Sequence, residues 1–110
     1  MGLFSPDTAA DAMKCVERVN EELRAINALA AQNFNRVDAR NRGKVIPHYN
    51  NVLKYARKYE KILSGLSMYD KLELQCTKIY LWNGEYNDVT AWEFKLPMVL
   101  NMLNRDLNNY

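Results

Sequence analysis

Residues 47–64 read Pro47-His48-Tyr49-Asn50-Asn51-Val52-Leu53-Lys54-Tyr55-Ala56-Arg57-Lys58-Tyr59-Glu60-Lys61-Ile62-Leu63-Ser64, and Gly65 follows. With residues set about 100° apart around a helical axis, Tyr49, Val52, Leu53, Ala56, Tyr59, Ile62, Leu63 and the later Leu66 line one side. Lys54, Arg57, Lys58 and Lys61 gather within roughly 100° on the other side, as a solvated face does. Proline suits a first helical position and glycine a C-terminal stop, so the segment is framed at both ends. A helix with one apolar face has to bury it, and the flanking sequence offers further helices as partners.

Upstream, the chain predicts a long helix from about Pro6 to Arg40. Ser5 stands as its cap, Asp7 and Asp11 favour its positive end, and Gly43 marks its finish. Val16, Val19, Leu23, Ile26, Ala30 and Val37 follow three- and four-residue steps. At ~1.5 Å per residue it would reach roughly 50 Å, with a bend or break near Asn33-Phe34-Asn35. Asn20 and Asn27 flank its apolar stripe a heptad apart, where polar side chains set register between helices.

Downstream, a third helix is expected over Met68–Trp82. Ser67 and Asp70 signal its start, and Met68, Leu72, Cys76 and Ile79 form its inner stripe. A fourth is expected over Thr90–Asn108, opened by a Thr90/Glu93 capping box, with Trp92, Leu96, Val99, Leu100, Leu103 and Leu107 as its stripe. Pro97 should kink this helix or mark its true start. Asn83-Gly84 is also a two-residue hairpin signal, about which Thr77–Trp82 and Val89–Leu96 would pair. Asn87-Asp88 interrupts such a second strand and the helical stripes continue past both ends. The helical reading is therefore preferred, with the hairpin as the alternative. The fold class is all-α: a compact bundle of about four helices forming a single domain over residues 1–110.

Composition agrees. With 110 residues, 48% hydrophobic and 25% charged, the chain has the balance of a single globular domain. No apolar run approaches the roughly 18 residues of a membrane span, and no membrane association is expected. Met1-Gly2-Leu3-Phe4-Ser5-Pro6 is not a secretory signal, and Pro6 stands where a myristoylation pattern wants Ser or Thr, so a cytoplasmic protein is expected. Cys15 and Cys76 then read as reduced packing residues.

Catalytic signals are absent. His48 is the single histidine and reads as a structural residue in the first turn of the second helix. An enzyme would need it to meet a carboxylate or a thiol in a cleft. Asp7/Asp11 and Glu17/Glu21 are neighbours one turn apart on a solvated face, and Arg18 with Glu22 makes an ordinary ion pair. No HExxH, CxxC, EF-hand or phosphate-loop pattern occurs. No cofactor, metal site or catalytic residue is expected, and the chain reads as a non-enzyme.

Two features remain to carry a function. Helices three and four bear apolar residues opposite their main stripes: Leu74, Leu81 and the flanking Trp82 on one, Ala91, Phe94, Met98 and Met102 on the other. A bundle core takes one stripe from each helix, so this surplus predicts an interface with a second copy or another protein. Leu74, Leu81, Trp82, Phe94, Met98 and Met102 are its candidates.

The other feature is charge. Residues 36–61 hold eight basic and two acidic groups, net +6, between flanks of net −2 each. Arg36, Arg40, Arg42 and Lys44 surround the junction of the first two helices, beside a helix N-terminus that attracts anions. With Lys54, Arg57, Lys58 and Lys61 they make an alternative anion-binding surface for nucleic acid or a nucleotide. Against this, Tyr49, Tyr55 and Tyr59 point toward the apolar arc, away from the cations that base stacking would need beside them. The leading expectation is a self-associating protein–protein interaction module that inhibits or bridges another macromolecule.

Overall fold

A computed structural model describes residues 7–80 and 86–108. Its elements run α1 (Ala9–Ala31), α2 (Arg42–Gly65), α3 (Met68–Gln75), β1 (Lys78–Tyr80), β2 (Tyr86–Asp88) and α4 (Val89–Asn108). Among the described residues the fold is an all-α bundle of four helices carrying one small antiparallel ladder.

The caps explain where each helix begins. Thr8 caps α1: the Asp11 N–H donates to Thr8 Oγ1 at 3.4 Å and the Thr8 N–H donates to Asp11 Oδ2 at 2.8 Å; the expected cap, Ser5, lies outside the described residues. These reciprocal bonds satisfy donors that a helix start leaves orphaned. Hydrogen bonding with Thr8, first through its backbone N–H, holds the Asp11 carboxyl below the ordinary aspartate range.

The long first helix stops early. Phe34 and Asn35 take left-handed backbone, with φ of 56° and 58°, which a right-handed helix does not tolerate. The expected break at 33–35 is thus a full stop, and α1 spans roughly 34 Å instead of 50. The chain restarts at Arg42, so Gly43 opens α2 and does not close α1, while Pro47 sits inside α2.

Between them lies a hydrogen-bonded loop. Asn33 Nδ2 donates to the Arg36 carbonyl at 3.2 Å and to Asp38 Oδ1 at 2.8 Å. Asn41 Nδ2 donates to the carbonyls of Leu29 and Arg36, and its Oδ1 accepts from the Asp38 N–H. Asn33 and Asn41 are buried, so the loop satisfies its own polar groups.

The third helix differs most from expectation. Ser67 caps it as anticipated, accepting from the Asp70 N–H at 3.1 Å. It ends at Gln75, however, and the chain enters β1. Lys78 pairs with Asp88, Ile79 with Asn87 and Tyr80 with Tyr86. The helical reading of residues 78–80 is therefore corrected. So is the strand reading of Val89–Leu96, which forms the first turns of α4. Asn83-Gly84 itself lies outside the described residues. The cap of α4 is Asp88, whose Oδ1 accepts from the Ala91 N–H at 2.9 Å, in place of the expected Thr90/Glu93 box.

The core draws Val16, Val19, Leu23 and Ile26 from α1, Val45, Val52, Tyr59 and Ile62 from α2, and Trp92, Leu96, Leu103 and Leu107 from α4. Leu74 and Ile79 also belong to it. Pairing of α1 with α2 is the most extensive contact, and α2 meets α4 far more sparsely.

Candidate functional site

The faces of α3 are reversed relative to the periodicity. Met68 and Leu72, assigned inward, are 79% and 56% exposed, and Cys76 is exposed too. Leu74, assigned outward, is buried at 1% and cannot contribute to an interface. The cause is brevity: eight residues give two turns apolar on both sides, and the turn into β1 sends Leu74 inward. Ile79 reaches the core from a strand and does not extend a helical stripe. Leu81 and Trp82 lie outside the described residues.

On α4 the outward apolar stripe is real surface. Phe94, Met98 and Met102, one turn apart, are 75%, 64% and 47% exposed. Phe34, Met68, Tyr69, Leu72 and these three are the large exposed hydrophobics among the described residues, and all but Phe34 lie on α3 and α4. No helix there is long and apolar enough to cross a membrane.

The other flank of α4 borders a groove that periodicity did not foresee. The sparse meeting of α2 with α4 leaves a cleft of about 610 Å³, with Leu53, Leu63, Leu96 and Leu100 along its sides. The Tyr59 and Trp92 rings also line it, packed edge-on with centroids 5.3 Å apart. The Tyr59 hydroxyl donates to the Glu93 carboxylate. Burial first, then this bond and the carboxylate's charge, push the phenol's pKa far up. Glu93 is thus engaged across the groove; it forms no capping box because α4 starts at Val89 behind Asp88, which puts Thr90 and Glu93 inside the helix. The splay of two helices is set by tertiary packing, so no sequence signal marked this cleft.

The eight basic candidates fall into three groups. Arg36, Arg40 and Lys44 are exposed around the α1–α2 loop. Arg42 is committed to the fold, its Nε donating to the Leu107 carbonyl at 2.7 Å near the end of α4. Lys54, Arg57, Lys58 and Lys61 line the exposed side of α2. The expectation that the tyrosines avoid cations needs correction at Tyr55. Its ring carries the Arg18 guanidinium at 5.0 Å and the Lys54 ammonium at 5.4 Å.

His48 does meet a carboxylate. Its Nδ1 lies 2.6 Å from Glu22 Oε2, and Arg18 Nη2 approaches Glu22 Oε1 at 3.7 Å. This cluster ties α1 to α2, and neither His48 nor Glu22 lines the groove. No thiol joins it. Among the described residues no group of three or more His, Cys, Asp or Glu is arranged to hold a metal ion.

Asn20 and Asn27 also part company. Asn27 is exposed, whereas Asn20 is buried and accepts from the Trp92 indole N–H. Its polar group serves the chain's own core and not a seam with another copy.

Comparison with family models, curated proteins and solved structures finds no match.

Proposed function

We propose that this chain is a non-catalytic helical interaction module that self-associates through the outward apolar side of α4, together with that of α3, and acts by binding another macromolecule. The observation that carries this reading is the concentration of exposed large hydrophobics on those two helices, with Phe94, Met98 and Met102 on successive turns. Small folded domains leave such side chains in water singly; a run of them favours burial against a partner. Methionines suit the role because they adapt to the surface they meet. A second copy is the simplest partner, since a two-fold axis lets the same stripe serve both sides. Leu74 has no part in this surface.

Light scattering after size exclusion tests it. The wild type should elute at twice the 12.8 kDa chain mass. Phe94→Asp with Met98→Asp should elute as a monomer of unchanged helicity, because both side chains project from the fold. A wild type that stays monomeric across the concentration range, or a doubly substituted chain that still pairs, overturns self-association through α4.

A further inference from the structure

We infer that the loop between α1 and α2 is a single-stranded nucleic-acid contact, in which the Phe34 ring stacks on a base while Arg36, Arg40 and Lys44 meet the flanking phosphates. The ring is 80% exposed, on the one large exposed hydrophobic among the described residues outside α3 and α4. Its neighbours supply the charge. Arg36, Arg40 and Lys44 are exposed, and none of the three is in an ion pair among the described residues. Phe34, Arg40 and Lys44 line one shallow hollow of about 340 Å³.

The loop's acid, Asp38, is half-buried and hydrogen-bonded within the loop. Asp38 Oδ1 accepts from Asn33 Nδ2 and from the Arg40 N–H. Those bonds, the Arg40 N–H first, hold its carboxyl below the ordinary aspartate range. Its charge acts on Arg40 and Arg36, yet one half-buried acid stands against three exposed cations, so the loop presents an apolar ring beside net positive charge and is braced by Asn33 and Asn41. An aromatic platform beside cations fits a strand whose bases are unpaired, because each base offers a π-face and each phosphate a charge. A duplex hides those faces, and an acidic protein surface would use the cations while leaving the ring idle.

Fluorescence anisotropy with a labelled oligothymidylate of about 20 nucleotides tests this, with the matching duplex as comparison. Wild-type protein should bind the single strand in preference. Three phosphate contacts should weaken binding about twentyfold between about 50 mM and about 200 mM salt. Phe34→Ala should weaken it about tenfold at each salt with the same salt slope, since it removes stacking and no charge. Arg40→Ala with Lys44→Ala should flatten the slope. Because all three side chains project into solvent, helicity by circular dichroism should stay unchanged. No binding by the wild type, equal binding of duplex, or Phe34→Ala binding as the wild type does would each overturn the inference.

Discussion

The indole N–H of Trp92 donates to Asn20 Oδ1 at 2.8 Å, joining α4 to α1 inside the core, where the two residues are 1% and 3% exposed. Among the described residues no buried side-chain nitrogen or oxygen lacks a partner. Asn20→Leu should therefore strand the indole donor and lower stability by about 1–3 kcal/mol. Urea unfolding checks it, and a double-mutant cycle with Trp92→Phe should return a favourable coupling for the pair. Independent, additive losses would mean that the bond contributes nothing of its own.

Tyr59 makes stability pH-dependent on the alkaline side. Burial and the Glu93 carboxylate raise its pKa in the folded state. Above about pH 10 the unfolded chain releases the phenolic proton while the folded chain keeps it. The folded state then binds more protons, so stability is full below that pH and falls as pH rises through it. Tyr59→Phe should flatten this decline. Urea midpoints measured from about pH 9 to about pH 11 check it, and parallel declines in the two proteins would count against the assignment.

The two thiols should separate cleanly. Cys76 is exposed at the end of α3, whereas Cys15 is buried and its pKa is pushed up, chiefly by that burial. A thiol-reactive probe should label Cys76 in the folded protein and reach Cys15 only on unfolding, because the thiolate is the reactive form. Mass spectrometry of the native, labelled chain reads the outcome. Equal labelling of both sites would show that the α1–α2 seam opens readily.

Backbone strain at Phe34 gives an opposed pair of effects. A left-handed φ of 56° disfavours any side chain with a Cβ. Phe34→Gly relieves this and, with the ring already in solvent, should raise stability by about 0.5–1 kcal/mol despite glycine's greater freedom when unfolded. The same substitution should weaken single-strand binding. Thermal unfolding and anisotropy together check it; loss of stability would mean that the ring contributes packing its exposure does not reveal.

Much of this architecture is local and was readable. The apolar arc of residues 49–63, the stop at Gly65, the Ser67/Asp70 start and the stripe from Trp92 to Leu107 all depend on neighbours within a few residues, and each has its counterpart in α2, α3 and α4. The surface stripe of Phe94, Met98 and Met102 was legible for the same reason: on a long helix with one strong core stripe, the opposite side faces outward.

Where two local readings compete, contacts distant in sequence decide. Periodicity tells which residues share a face, not which face is buried, so Leu72 and Leu74 exchanged roles on a helix of two turns. Residues 78–80 suit helix or strand locally, and pairing with 86–88 settles them. Glu93, expected in a capping box, lies inside α4 and accepts from Tyr59, 34 residues away. Asn20 left a supposed seam for Trp92, 72 residues away. The sequence by itself determined the number of helices, most of their cores and the basic character of the middle segment, because these follow from spacing and composition. Only the tertiary structure decided the α2–α4 groove, the withdrawal of Arg42 to Leu107 and the exposure of Phe34 beside Arg40 and Lys44. Those depend on how rigid helices lean on one another and on the one path by which a short loop can join them.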